Sequence, residues 1–302
     1  MQKRAMMQRA SDAFANKADC LVCGGGMRQG VQHWHYVCAR CGYEAGDLQP
    51  AINDSSAHNA IDEADREAGL RAIRTENFRE VVGLIAANLP VAAKKLLDVG
   101  CAHGWFLEQA AGRFDVLGIE PDEAVRAKTA AKGLPVRGGY FPQALLPGET
   151  FDAIVFNDVI EHIPDIDSAL AACRERLNPG GVLVLNLPNS KGLFYRVSKF
   201  FAAMGWTSPF ERMWQKGFPS PHVHFFGTRN LAELVDKHQM RLVREVQLPS
   251  IRAKGMLERM RYSTHESTLN MYLQYIGAMA ILPFTKLFQS DVIVCLFAVN
   301  PK

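Results

Sequence analysis

The chain has 302 residues, enough for one large domain or for one domain and a small module. Its composition is globular, and a net charge of +3 on 34 basic and 31 acidic side chains does not point to nucleic acid or an anionic membrane as the main partner. No apolar run reaches the length of a membrane span (the closest, Met271 to Phe288, is interrupted by polar residues and proline), and residues 1–20 lack the apolar core of a secretory signal.

Residues 1–17 are expected to form a leader, and residues 18–50 contain two cysteine pairs in the spacing C-x2-C-x14-C-x2-C. Thiolates are soft ligands, so Cys20, Cys23, Cys38 and Cys41 can hold a tetrahedral Zn²⁺ ion. This pattern resembles a zinc ribbon. Because cysteine would fill all four positions, the zinc is expected to be structural. Paired cysteines in an odd total of seven suit metal in a reducing compartment, which predicts a cytoplasmic protein.

His33 and His35 lie between the two cysteine pairs and are interpreted as exposed strand residues rather than ligands. A polar break, LQPAINDSSAHNA, follows the ribbon. A helical pattern then runs from Ile61 to Leu89 and is ended by Pro90. Residues 51–92 are therefore predicted to be a helical connector.

From residue 93 to residue 302 short apolar runs alternate with helical stretches, as in KKLLDVG, DVLGIE, FDAIVFND and GVLVLNLP. Strands that alternate with helices predict an α/β fold with a parallel sheet covered on both faces. The tail adds MRLVREVQL and SDVIVCLFAVN, of which the second is expected to be antiparallel.

The stretch LLDVGCAHGWF predicts a strand that ends at Val99 and a tight turn through Gly100 and Gly104. Backbone N–H groups are expected to face a ligand near the start of the next helix. The following strand ends in Glu120, whose carboxylate can accept hydrogen bonds from a ribose diol. A loop of this kind also occurs in NAD-binding folds, although the glycine spacing here differs.

Two later motifs favour another family. NDVIEHIPD (157–165) and LNPGGVLVLNLPN (177–189) resemble the fourth-strand and fifth-strand motifs of class I S-adenosylmethionine-dependent methyltransferases of the ubiquinone and small-molecule type. The resemblance covers about residues 93–302 and implies a doubly wound, seven-stranded, Rossmann-like sheet.

In such a family Asp98 would orient the methionine ammonium or its water, Glu120 the ribose hydroxyls, and the 100–104 loop the amino-acid portion of the donor. Two positions depart from the pattern: Ala102 replaces the middle glycine, and no carboxylate follows the third strand, so Tyr140 and Phe141 are expected near the adenine. The donor-binding residues implied by the resemblance are Asp98, Gly100, Cys101, Ala102, Gly104, Glu120, Pro121, Tyr140, Phe141, Asn157 and Asp158.

Three histidines are candidate catalytic residues. His162 follows the fourth strand, where the donor methyl group should point, although a Glu-His pair in this family can be architectural. His222 and His224 lie in SPHVHFFGTRN, a segment that flanks the acceptor pocket in similar sequences, and either can act as a base or only pack the loop.

An insertion at about residues 189–227 precedes that segment. Leu193, Val197, Phe200 and Met204 fall on one helical face. That face can pack over the sheet edge, form a lid, or meet a lipid-linked substrate with at most peripheral membrane contact. The apolar helix near the C-terminus, from Met271, suits burial or a homodimer interface.

The sequence thus predicts methyl transfer from S-adenosylmethionine to a small molecule, with a hydroxyl of a sugar or of a cell-envelope polysaccharide precursor favoured and carbon methylation of a nucleotide sugar next. Three alternatives stay open: an RNA methyltransferase, a quinone-type aromatic O-methyltransferase, and a binding module without activity. The ribbon's few cations, Arg28 and Arg40, disfavour RNA.

Overall fold

The computed structural model describes residues 19–49, 63–253, 256 and 268–300. The predicted leader at 1–17 and most of the polar break lie outside the described residues. The strands that it describes form one four-stranded sheet and one seven-stranded sheet.

The small sheet begins in the cysteine-rich region. Strands β1 (Met27–Gln29), β2 (His35–Cys38) and β3 (Glu44–Gly46) form an antiparallel meander, and β9 (His224–Phe225) pairs with β3. The ribbon therefore shares a sheet with a segment almost 180 residues later in the chain, between Ala45 and its partner His224. The prediction that His35 is exposed is wrong: the side chain is fully buried because it packs among aromatic rings and donates to Glu44 at 2.6 Å.

The large sheet has the order β10-β11-β8-β7-β4-β5-β6. β4, β5, β6, β7 and β8 are parallel, and β11 is antiparallel to both of its neighbours. This arrangement confirms the predicted α/β, doubly wound sheet and its antiparallel last strand. The strands are β4 (Lys95–Val99), β5 (Asp115–Glu120), β6 (Val136–Gly138), β7 (Phe151–Asn157), β8 (Leu177–Pro188), β10 (Met240–Leu248) and β11 (Val292–Val299).

Helices cover both faces of this sheet. They are α1 (Glu63–Asn88), α2 (Trp105–Ala110), α3 (Glu123–Ala131), α4 (Ile166–Arg176), α5 (Leu193–Ala203), α6 (Ser208–Met213), α7 (Thr228–Asp236) and α8 (Thr268–Thr285), with a 3₁₀ turn at Ile160–His162. The predicted connector helix is α1, and it is part of the domain core because Phe78, Val82 and Ile85 pack in one buried cluster with Leu96 and Phe106.

The face of α5 that is buried differs from the predicted one. Tyr195 and Ala202 are buried, whereas Val197, Phe200 and Met204 are 42%, 62% and 70% exposed. The interpretation in which the second set packs over the sheet edge is therefore wrong. The buried face is the one that carries the Tyr195 hydroxyl to the ribbon, where it donates to Glu44 at 2.7 Å.

The C-terminal helix α8 contains Pro283 in its last turn and exposes Tyr272 and Ile276. Among the described residues, no helix combines the length and the apolar character needed to cross a bilayer.

Candidate active site

The loop after β4 has three residues with positive φ: Gly100 at 71°, Ala102 at 42° and Gly104 at 73°. A Cβ atom on Gly100 would lie 2.6 Å from the Val159 side chain, so this position requires glycine for space as well as for conformation. The chain reverses here within a few residues and starts α2 at Trp105.

Four of the loop amides that were expected to be free for a ligand donate hydrogen bonds within the protein instead, so the expectation is wrong for them. Gly100 and Cys101 both donate to the Ile119 carbonyl, Gly104 donates to the Cys101 carbonyl, and Ala102 donates to Glu120. These hydrogen bonds satisfy the four N–H groups without a ligand, and they fix the shape of the loop.

Glu120 ends β5 and is 7% exposed. Its Oε2 accepts from the Ala102 amide at 3.0 Å and its Oε1 from the Asp122 amide at 2.8 Å, with Pro121 between the two residues. Burial raises the pKa of Glu120, while these two amides oppose the increase. A carboxylate has about four acceptor positions, so each oxygen can take one further donor, which matches a vicinal diol.

Asp98 lies at the carboxyl end of the neighbouring strand and is buried. Its Oδ1 accepts from Asn157 at 3.1 Å, and Asn157 accepts in turn from Asn186 at 3.1 Å, so one polar chain links the ends of β4, β7 and β8. Burial raises the pKa of Asp98 to about 8, the negative charge of Glu120 adds to this, and Asn157 opposes it. A cationic group of a ligand beside Asp98 would stabilise the ionised form of this buried carboxylate.

Asp158 is the next residue after β7 and has φ of 54°. Its carboxylate forms an ion pair at 3.0 Å with Arg74 of α1. Arg74 was not among the predicted site residues, and no local pattern in the chain marks it, since 84 positions separate the partners.

The remaining predicted donor-site residues lie around this edge. Cys101 is buried against Gly118, where an added Cβ would lie 2.5 Å from its sulfur. Tyr140 and Phe141 follow β6, and the Phe141 ring meets Phe156 edge-on with centroids 5.6 Å apart.

Two of the predicted catalytic histidines lie together beside a glutamate. The ring centroids of His162 and His222 are 4.7 Å apart, and the Nε2 atom of each is 3.9 Å from Glu161 Oε1. His162 Nδ1 donates to the Pro221 carbonyl at 2.9 Å, which leaves Nε2 as the basic nitrogen of the neutral ring. The amide of Gln215 is 2.8 Å from His222 Nε2.

Glu161 is fully buried, and neither carboxylate oxygen has a hydrogen-bond partner among the described residues. Burial raises the pKa of Glu161 well above its ordinary value, and the nearby charge of Asp158 adds to this. Burial also lowers the pKa of His222 well below its ordinary value, with the neighbouring His162 as a second cause. The cluster is therefore a neutral acid next to neutral imidazole, which is a suitable arrangement for holding and moving one proton.

His224 lies outside this cluster. Its Nδ1 accepts from the Tyr43 hydroxyl of the ribbon, and its Nε2 donates to the Ile163 carbonyl at 3.0 Å. Burial lowers its pKa to about 4. Both nitrogens are engaged, Nδ1 with the ribbon and Nε2 within the larger domain, so the geometry favours a positioning role.

The four ribbon cysteines are brought together. Their sulfur atoms lie within 4.8 Å of one another, with Cys20 to Cys41 at 3.6 Å and Cys23 to Cys38 at 3.5 Å. Four thiolates at about 2.3 Å from a zinc ion would be about 3.8 Å apart. Backbone amides of Val22 and Arg40 point at the sulfurs of Cys20 and Cys38, each at 3.4 Å. The cluster therefore fits a tetrahedral metal site.

The chain matches the family described as "Methyltransferase domain" over residues 71–245. It is 29% identical to the ubiquinone biosynthesis O-methyltransferase of Cereibacter sphaeroides (strain ATCC 17029) over 64% of this chain and 76% of that protein. It is 34% identical to the human mitochondrial ubiquinone biosynthesis O-methyltransferase over 37% of this chain, and that alignment spans only 34% of the human protein.

Solved structures share the fold. The cyclopropane synthase MmaA2 of Mycobacterium tuberculosis superposes with a TM-score of 0.51 and 19% identity, covering 72% of this chain and 83% of that chain. An S-adenosylmethionine-dependent methyltransferase of Thermotoga maritima superposes with a TM-score of 0.50 and 16% identity, covering 80% of this chain and 96% of that chain.

Proposed function

The chain belongs to the class I S-adenosylmethionine-dependent methyltransferases, and on that premise we propose that it methylates a hydroxyl group of a sugar or of a cell-envelope polysaccharide precursor. When bound, S-adenosylmethionine supplies the methyl group from its sulfonium centre. The chain's own residues must then hold the donor, align the acceptor oxygen and accept its proton.

The donor-binding assignments rest on the two strand ends already described. Asp98 holds the methionine ammonium or its water. Burial raises the pKa of this carboxyl group, and the positive charge of the ammonium would stabilise its ionised form. Glu120 takes the ribose diol on the two acceptor positions that its amide contacts leave open. Tyr140 and Phe141 border the adenine from the end of β6.

The cluster of Glu161, His162 and His222 is the observation that carries the hydroxyl assignment. An alcohol is a weak nucleophile at neutral pH, so a nearby base accelerates its attack by about 10²–10⁴-fold. His162 accepts the proton on Nε2, which lies 3.9 Å from the carboxyl group of the buried Glu161. The same base would also serve carbon methylation of a nucleotide sugar, which stays the nearest variant of this proposal.

A second candidate is a quinone-type aromatic O-methyltransferase. It is favoured by the ubiquinone biosynthesis relatives and by the exposed apolar residues of α5, Phe200 and Met204. RNA is less favoured, because the ribbon offers only Arg28 and Arg40 as cations for phosphate groups.

For the ribbon we propose a structural zinc ion on Cys20, Cys23, Cys38 and Cys41. The fit of the sulfur spacing supports this, and a module with so small a core gains much of its folding free energy from metal. Through β9 the same ion would hold the segment that carries His222.

The deciding experiment incubates the purified protein and isotopically labelled S-adenosylmethionine separately with nucleotide sugars, lipid-linked saccharides, catechol-type quinone precursors and RNA. The proposal expects label in a sugar fraction, as a methyl ether by NMR. Label in the phenol or RNA fraction alone would overturn it.

A further inference from the structure

A cleft of about 370 Å³ opens between the ribbon and α5. Its walls carry Ser190 and Lys191, which follow β8, together with Arg196 and Lys199 of α5 and Glu44 of the ribbon. The donor and proton-transfer residues described above do not line it. Its volume suits part of a small-molecule ligand rather than a single water or ion.

The charge of this cleft is positive. Lys199 is bound to Glu44 at 2.7 Å, and Glu44 also receives hydrogen bonds from His35 at 2.6 Å and Tyr195 at 2.7 Å, so the charge of its carboxylate is offset and three of its acceptor positions are used. Lys191 and Arg196 have no ion-pair partner within the described part of the chain. Two cations are therefore left for a ligand.

A buried hydroxyl adds a neutral donor to these two cations. Ser190 is 4% exposed, yet its Oγ has no hydrogen-bond partner in the described residues, although it lines the cleft. A buried hydroxyl without a hydrogen-bond partner is destabilising, because it has lost its hydrogen bonds to water. An anionic oxygen in the cleft would satisfy it.

The amide groups at the start of α5 do not contribute to this site. Phe194 and Tyr195 donate to the Asp291 carboxylate at 3.1 Å and 2.8 Å, and Leu193 donates to Gln289. The recognition of an anion would thus rest on side chains, as in arginine- and lysine-based phosphate sites.

The cleft is at the same edge of the sheet as the transfer site. β8 carries Asn186 of the polar chain to its carboxyl end, and Ser190 follows four residues later. Ser190 also donates its amide to Phe226, two residues after His224 of the segment that holds the histidines. A ligand in the cleft can therefore extend towards His162 and His222.

Resting on the proposed function, we infer that this cleft binds the diphosphate group that links the acceptor sugar to its carrier. Lys191 and Arg196 pair with the phosphate oxygens, and Ser190 donates to one of them. Either a nucleotide or a polyprenyl lipid can carry such a diphosphate, and Phe200 on the rim, 62% exposed, offers apolar surface beside it.

The test uses the full-length protein and inorganic pyrophosphate, with uridine diphosphate and vesicles containing undecaprenyl diphosphate as the two carrier arms. The double variant Lys191→Gln with Arg196→Gln removes both unpaired cations and leaves Lys199 on Glu44. Its matched control is Lys94→Gln with Arg241→Gln, an equal loss of charge from exposed positions at the opposite, amino-terminal edge of the sheet.

Calorimetry should show saturable pyrophosphate binding that weakens by about tenfold or more in the double variant and stays unchanged in the control. Tighter binding of uridine diphosphate or of the vesicles identifies the carrier, and both results support the site. An absence of pyrophosphate binding in the unmodified protein, or equal binding by both double variants, overturns it. Binding of S-adenosylmethionine, measured on the same samples, separates this failure from a failure of the proposed function.

Discussion

Tyr43 of the ribbon donates a hydrogen bond to His224 of the larger domain, and both side chains are almost fully buried. Tyr43 directly precedes β3, and His224 is the first residue of β9, the strand that pairs with β3. In the chain, 181 positions separate the two residues. The ribbon is thus built into the wall that carries His222, and it is not a freely tethered module.

Replacing Tyr43 by Phe leaves His224 Nδ1 buried without a donor. We expect the free energy of unfolding to fall by about 1–3 kcal/mol. Chemical denaturation measures this, and Tyr272→Phe, at a side chain that is 41% exposed, should have little effect. Equal losses in the two variants would contradict a special role for the Tyr43 contact.

Replacing Cys38 by Ser should release the metal and disorder the ribbon, because one of four thiolate ligands is lost. Donor binding should be largely retained, since Asp98 and Glu120 lie on other strands, whereas methyl transfer should fall with the loss of the β3–β9 pairing. Elemental analysis and calorimetry check the two parts. Cys173→Ala removes a buried thiol outside the cluster and should keep the metal. A Cys38 variant with full metal content would remove the cluster from consideration as the zinc site.

Donor binding should depend on pH through Asp98. The pKa of about 8 means that this side chain is protonated in the free protein at neutral pH, and the donor ammonium favours the ionised form. Binding therefore expels a proton, and affinity should rise with pH by up to about tenfold per unit until pH approaches 8, where the donor amine itself loses its charge. Calorimetry in buffers with different ionisation enthalpies measures the released proton. Asp98→Asn should bind more weakly and release none; if that variant still releases the proton, another group is responsible.

Glu120→Ala should weaken donor binding by about 1–3 kcal/mol, because the ribose hydroxyls and the Ala102 amide both lose their acceptor. Glu120→Gln keeps one acceptor oxygen and should lose less. Calorimetric titration with S-adenosylmethionine ranks the two variants. An unchanged affinity in Glu120→Ala would count against the ribose assignment.

His162→Gln and His222→Gln separate the roles within the proton-transfer cluster. If His162 is the base, its loss should lower kcat by about 10²–10⁴-fold while the affinity for the donor is unchanged. His222, whose pKa burial keeps well below the ordinary value, should affect kcat less and KM for the acceptor more. Steady-state kinetics on the acceptor that the labelling experiment identifies gives both constants, with His33→Gln at an exposed ribbon position as the control. A larger kcat loss at His222 would reverse the assignment.

Local patterns were sufficient for much of the fold. Alternating apolar runs predicted the strands, and the motifs from Asp98 to Glu120 predicted which strand ends carry carboxylates, because strand period and turn chemistry act within a few residues. The cysteine spacing likewise predicted the grouping of the four thiols, since two tight turns bring each pair of sulfurs to one side.

Features that depend on distant residues could not be predicted in this way. Which side of α5 is buried depends on Glu44 of the ribbon, whose carboxylate needs the Tyr195 hydroxyl and the Lys199 ammonium, so Val197 and Phe200 face outward despite their apolar character. Arg74 reaches Asp158 only because α1 lies across the sheet.

The sequence by itself determined the class of fold, the strand ends that carry Asp98 and Glu120, and the four thiols of the ribbon, because each of these depends on neighbours a few residues apart. The tertiary structure alone decided that β9 joins the ribbon to the sheet edge, that His224 is engaged there while His162 and His222 meet Glu161, and that a cationic cleft opens beside them. Burial and electrostatic pairing act through space, and no local pattern in the chain records which distant residues they will bring together.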